Sequence, residues 1–164
     1  MSENNPYAKY LDGRPVEEIL AATGGELAAL LDALGPERAT EAPAPGKWSA
    51  AEILCHLADC ELVFAFRLRQ TLAEPHPTIQ PFDQARWAEH YGSVPAEQAL
   101  DLFRTARAWN LRLLAAVLPG AADRPVTHPE RGTMTFGTIV ETMAGHDLNH
   151  LGQLRWLAGE APAA

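Results

Sequence analysis

Residues 135–159 read TFGTIVETMAGHDLNHLGQLRWLAG, and the spacing of their apolar positions sets the fold class. Ile139, Met143, His146, His150 and Leu154 or Leu157 recur at intervals that line side chains along one face of an α-helix. Thr135 opens the segment and Gly159 supplies a C-terminal stop, which predicts a helix over 135–158. His146 and His150 thus stand on the stripe where a core-facing helix carries aliphatic side chains.

Working outward, the same period appears three more times. Ile19, Leu27, Leu30, Leu31 and Leu34 predict a first helix over 15–34, with Pro15 suited to its first turn. Gly24 and Gly25 inside it cost about 1 kcal/mol each relative to alanine, and a local irregularity is expected there. Ser49 followed by Glu52 is a capping box that starts a second helix over 50–72. A third helix, over 95–118, begins at Pro95 behind a Ser93 cap, presents Leu100, Phe103, Leu111 and Leu114, and stops at Pro119 and Gly120. Between the second and third lies a long connection, Ala73 to Val94, rich in proline and holding one short helical candidate, FDQARWAEHY. No segment alternates with period two for long enough to predict a strand. The expected architecture is an all-α, single-domain four-helix bundle spanning 1–164. The long connection lets the second and third helices run parallel, which makes the fourth antiparallel to the second, an up-down-down-up order.

A chain of 164 residues with 47% hydrophobic composition supports one sizeable core. Its net charge of -8 and lack of any Lys/Arg run exclude a nucleic-acid footprint, which needs clustered positive charge. No uninterrupted apolar run approaches the roughly 18 residues of a membrane span, so no membrane partner is expected. Met1 to Tyr10 lacks the apolar centre of a secretory signal, and a cytoplasmic location is the expectation. Cys55 and Cys60, five apart on one predicted helix, are poorly placed to bond each other and are expected as free thiols.

On the second helix Ile53, His56, Cys60 and Phe64 form another inward stripe, flanked by Leu57 and Leu68. His56 lies about 10 Å along the axis from the Ser49 cap, while His150 and His146 lie roughly 12 to 19 Å back from the end of the fourth helix. Antiparallel packing brings the three to similar depth. Buried imidazoles need partners to offset desolvation, and one divalent cation satisfies all three. Histidines four apart on a helix reach one ion, and a third from a facing helix completes a three-ligand set with a position left open for water or substrate. Asp59 and Gln153 each lie three positions beyond a proposed ligand and are candidates to orient an imidazole. Cys60 is a candidate fourth ligand, against the commoner role of a buried cysteine as a small hydrophobe. Arg107 is a candidate to meet a substrate carboxylate, against the usual solvent-facing role of a helical charge. His76, His90 and His128 fall in connections where surface histidines are ordinary, and Trp48, Trp87, Tyr91 and Trp156 read as core or interface aromatics.

KWSAAEILCHLADCE resembles the W-S-x(6)-H-L element of the DinB-like (YfiT-like) four-helix family, and TFGTIVETMAGHDLNHLGQL resembles its closing H-x-x-x-H helix. The resemblance covers nearly the whole chain and includes FDQARWAEHYG and HPERG. It places the family's metal triad on His56, His146 and His150, and it implies a divalent metal, zinc or nickel, and a homodimer. It further implies a small-molecule substrate and a thiol-dependent S-transferase or related reaction, with a low-molecular-weight thiol as cosubstrate. The physical basis is that a divalent ion lowers the pKa of a coordinated thiol so that the nucleophilic thiolate binds.

Two other readings compete. HDLNH differs from the metallopeptidase H-E-x-x-H by Asp147 in place of glutamate, with Asp147 then a shortened general base. The predicted lack of a strand to hold a peptide and the presence of Trp156 where the extended motif has histidine stand against it. The other is a non-catalytic, stress-associated dimer in which the metal ties two helices together. A fourth protein ligand closing the coordination sphere would favour that one.

Overall fold

The computed structural model describes residues 4–160. Four long helices form the body: α1 (Val16–Thr40), α2 (Ala50–Ala73), α4 (Ala96–Val117) and α5 (Phe136–Ala158). A one-turn-plus helix, α3 (Gln84–Ala88), interrupts the long connection, and a hairpin of β1 (Pro125–His128) and β2 (Gly132–Thr135) precedes α5.

The ends of the helices follow their capping chemistry. The Ser49 hydroxyl accepts from the Glu52 backbone N–H while the Glu52 carboxylate accepts from Ser49 N, the reciprocal box. Thr135 and Thr138 make the equivalent pair at α5, and Gly159 ends that helix in the left-handed region at φ 85°. Asp83 caps α3 by accepting from Ala85 and Arg86. Ser93 does not cap α4: its hydroxyl donates to the His90 carbonyl, and Pro95 holds the cap position without a side-chain bond.

α1 runs helically through Gly24 and Gly25, so the irregularity expected there is absent. It sits at Gly35, where φ 71° and ψ 167° break the helix, and Pro36 starts a further turn to Thr40. α1 also carries an 18-residue window of mean hydropathy 1.2, apolar and long enough by that measure to cross a membrane. Its Ile19, Leu20, Leu27, Leu30, Leu31 and Leu34 are buried within the bundle.

The hairpin corrects the expectation of no strand. Its strands pair antiparallel, Pro125 opposite Thr135 and His128 opposite Gly132. Four residues each are too few for period-two alternation to register in sequence. β1 also fastens the long connection, since Ile79 N–H donates to the Thr127 carbonyl and Thr127 N–H to that of Pro77.

The order of contacts along the helices gives their relative senses. Leu57 of α2 packs in one apolar cluster with Leu151 and Leu154 of α5, while Phe64 and Leu68 join Ile139 and Met143 in the other, so α2 and α5 run in opposite directions. Arg107 and Asn110 of α4 meet Glu61 and Arg69 of α2 in the same order, and Thr23 and Glu26 of α1 meet Asp147 and Arg155 of α5 likewise. Between the two apolar clusters lies a polar layer. Thr23, His56, Glu61, Arg107, Asn110, His146, Asp147 and His150 are all buried there.

Candidate metal centre

Each imidazole reaches the polar layer because its helix face is otherwise apolar. His56 Nε2 and His146 Nε2 lie 3.0 Å apart, and His150 Nε2 lies 3.2 Å from His146 Nε2. One ligand atom from each of the three residues falls within 4.8 Å of the others. Nitrogens bound at about 2.0–2.1 Å around a tetrahedral ion stand roughly 3.4 Å apart, so only small side-chain adjustments separate this geometry from a coordinating one. The donor chemistry fits a cation as well. His150 Nδ1–H donates to Gln153 Oε1 at 2.9 Å, which leaves the Nε2 lone pair facing the other rings. Two further Nε2 atoms meet at the same point, and no placement of protons makes both short N···N contacts good hydrogen bonds with neutral rings.

Burial sets the charge state. It pulls His56 down to about 3, with the nearby His150 adding to the effect. His146 is held well below the usual imidazole range by burial and then by His150 and His56, and burial lowers His150 also. Neutral imidazole is the form that binds metal. Aromatic rings close around the group: Trp48 lies 4.9 Å from the His56 ring, Tyr7 meets His146 edge-on at 5.0 Å, and Phe64 lies 6.2 Å from His146.

Cys60 Sγ lies 3.5 Å from His56 Nε2 and 3.9 Å from His146 Nε2. It touches two of the three imidazoles, yet the compact ligand group consists of the histidines alone. Burial pushes its thiol far up from the usual range, and raises that of Cys55 to about 11. Both cysteines are free and buried.

The structure moves several expected partners elsewhere. Asp59 accepts a 2.7 Å hydrogen bond from the Tyr91 hydroxyl and, among the described residues, makes no hydrogen bond to an imidazole. Arg107, expected at a substrate, is buried and engaged through both terminal nitrogens: Nη1 donates to Asp147 at 2.6 Å and to the Leu20 carbonyl at 3.0 Å, and Nη2 to Glu61 at 2.8 Å and Asp147 at 3.0 Å, while its Nε–H has no partner. Burial opposes its charge, but Asp147 and Glu61 outweigh burial and keep it ionised. Asp147 also accepts from Thr23 at 2.9 Å, so the general-base role of the metallopeptidase reading has no free carboxylate. Asn110 completes the network by donating to Glu61 at 2.9 Å. A charge on α4 whose counter-charges come from two other helices leaves no local mark in sequence. His128, expected at the surface, is buried behind the hairpin, while His76 and His90 are exposed. Trp87 and Trp156 are exposed as well, whereas Tyr91 is buried.

A groove of about 460 Å³ runs beside the imidazoles, bordered by Lys47, Trp48, Ile53, Gln153, Trp156 and Leu157. It is built from the segment before α2, the start of α2 and the end of α5, not from the connection after α2.

Gly145 is required by close approach. A Cβ there would stand 2.6 Å from the Tyr7 carbonyl oxygen and 2.8 Å from its Cβ. Gly145→Ala is expected to push the 4–10 segment off α5, removing Tyr7 from His146 and costing about 1–3 kcal/mol in thermal unfolding, as overpacking does. Loss of the Tyr7–His146 proton contact by NMR reads the displacement directly, and an unshifted Tyr7 contradicts it.

The family model of the DinB superfamily matches residues 19–154. A protein of Oceanobacillus iheyensis named "Putative metal-dependent hydrolase" is 31% identical over 110 residues, covering 66% of this chain and 64% of that protein. A protein of Bacillus mycoides with the same name is 24% identical over 106 residues, covering 64% and 61%. The match therefore spans slightly under two thirds of the length of these relatives. Among solved structures, YfiT from Bacillus subtilis, described as "a probable metal-dependent hydrolase with an unusual four-helix bundle topology", superposes with a TM-score of 0.77 at 18% identity, covering 98% of this chain and 91% of that one.

Proposed function

This chain belongs to the DinB superfamily, and from that premise we propose that it is a divalent-metal-dependent enzyme, a hydrolase of small molecules, with His56, His146 and His150 as ligands. The observation that carries the reading is the convergence of three buried Nε2 atoms, with Cys60 the one further ligand type beside them among the described residues. The names of the relatives support hydrolysis as the reaction. Held by these three imidazoles, a zinc or nickel ion would supply Lewis acidity, which would lower the pKa of a coordinated water or thiol toward neutrality and polarise a substrate oxygen.

The chain's own residues do the rest. Gln153 fixes the His150 ring through Nδ1. Trp48, Tyr7 and Phe64 exclude bulk water from the imidazoles, and the groove beside Trp48 and Gln153 admits a small molecule. Glu61 and Asp147 are committed to Arg107, and Asp59 to Tyr91, so none of these carboxylates is free to take a proton from the nucleophile.

That same feature favours a second reading, the thiol-dependent transfer implied by the sequence resemblance. A thiol that binds as its anion needs no resident base. Metal-loaded protein assayed against ester and amide panels, and against electrophiles with a low-molecular-weight thiol, separates the two. Metal-dependent hydrolysis abolished by His150→Ala supports the first reading. Thiol consumption without hydrolysis overturns it in favour of the second, and inactivity of fully loaded protein in both panels favours the non-catalytic metal tie.

The homodimer is part of this proposal, supported by exposed Phe66 and Trp109 on the outer face of α2 and α4. Light scattering reads it: a dimer mass is expected, and a monomer for Trp109→Glu.

A further inference from the structure

The long connection and the hairpin create a second polar site that the imidazoles do not explain. A narrow cleft lies between α2, α5 and the hairpin, walled by Phe64, Ile79, Met134 and Ile139 and edged by Arg67, His128 and Arg131. It has room for little more than one water-sized group.

Arg67 is 8% exposed, and its Nη2 donates to the Gln80 carbonyl at 2.7 Å. Its Nε–H is buried without any partner. A buried guanidinium N–H left unpaired costs more than an ordinary lost hydrogen bond, so its retention calls for an acceptor. The second donor comes from the hairpin. His128 is 3% exposed, and its Nδ1 accepts from the Glu130 backbone N–H at 3.2 Å, which puts the proton of the neutral ring on Nε2. Arg131, in the turn beyond, makes no ion pair among the described residues. Both arginines act electrostatically on His128, and Arg131 acts on Arg67, so the positive groups crowd one another. Glu130 is the carboxylate that acts on His128, and on Arg67 only the Cys60 thiol acts in favour of its charge. The chain, acidic as a whole, holds two arginines and a histidine donor around one apolar-walled cleft with no carboxylate seated in it.

We propose that this cleft seats one oxygen of a small molecule's carboxylate, the rest of the group lying at the open mouth, held by Arg67 Nε–H, the Arg131 guanidinium and His128 Nε2–H. A planar carboxylate suits both the fork geometry of arginine and the narrow space, where a tetrahedral phosphate is bulkier. The cleft neighbours the imidazole group across Phe64. Phe64 walls the one and contacts His146 of the other, and Thr142, which also lines the cleft, stands one helical turn before His146. Tyr7 lies between, with its ring on His146 and its phenol within the field of Arg131. That the carboxylate belongs to the reacting molecule rests on the metal-dependent reading above, whereas carboxylate binding does not.

The test uses the metal-free full chain, so that the ligand has no ion to bind. Acetate is titrated at constant ionic strength while the arginine Nε–H and backbone amide NMR signals are followed. A saturable shift of the Arg67 Nε–H and of the Glu130 and Arg131 amides is expected, weakened at least tenfold in Arg131→Gln, a surface change that spares the core. His150→Ala is expected to leave acetate binding unchanged while removing metal binding, which separates failure of this site from failure of the metal centre. No saturable shift, or equal binding by Arg131→Gln, overturns the proposal. Tighter binding of inorganic phosphate than of acetate overturns the carboxylate assignment.

Discussion

Replacing Arg107 by methionine is expected to destabilise the protein by about 3–5 kcal/mol, the cost of stranding buried charges by removing their partner. Arg107 bonds Asp147 and Glu61 together deep between the two apolar clusters, all three side chains being under 5% exposed. Asn110 and Thr23 complete the carboxylates' hydrogen bonds, so four helices share one network. Methionine matches much of the volume and leaves two carboxylates facing each other without a cation. With a typical domain stability of about 5–15 kcal/mol, such a loss leaves the chain near the edge of folding. Urea denaturation of the variant reads the cost, and Glu61→Gln with Arg107 intact is expected to cost less because one carboxylate remains for the guanidinium. A cost under about 1 kcal/mol for Arg107→Met contradicts the network's role.

The second large effect is a loss of stability on mild acidification of the metal-free protein. His56 sits at about 3 in the folded chain against 6.5 ordinarily, and His146 and His150 are lowered in the same direction. A histidine depressed by folding is protonated first in the unfolded chain. Its contribution is therefore fully present above about pH 6.5 and is lost as pH falls through the window down to the folded value. The slope approaches about 1.4 kcal/mol per pH unit for each such group. Between pH 7 and 5, before most carboxylates titrate, denaturant midpoints are expected to fall steeply, and saturating zinc is expected to raise the whole curve. Stability independent of pH across that range contradicts buried neutral imidazoles.

The parts of this molecule governed by local rules were legible. Ser49 with Glu52, and Gly159 after its helix, marked ends that agree with the structure because a cap depends on residues a turn apart. His56, His146 and His150 could be grouped because each sat on an apolar stripe, and a stripe states which way a side chain points. Gln153 was found by the same helical spacing, three positions past His150. The misses depend on distant pairing. Asp59 had the same spacing from His56, but Tyr91, 32 residues away, holds it instead. Arg107 looked like a surface or substrate cation because nothing near it in sequence showed that α2 and α5 would bring Glu61 and Asp147 to it. The hairpin and the burial of His128 were hidden because two four-residue strands take their stability from the Ile79 and Pro77 backbone and from packing on α2 and α5.

The centre of the account is one ion shared by imidazoles from α2 and α5, and metal content tests it most directly. Untagged protein reconstituted with zinc, dialysed and measured by elemental analysis is expected to retain one ion per chain. His56→Ala, His146→Ala and His150→Ala are each expected to lower zinc affinity by at least a hundredfold, and Cys60→Ser to leave it within a fewfold. Full stoichiometry and affinity in His56→Ala would contradict the account, because the ion would then be held without the one ligand that α2 contributes.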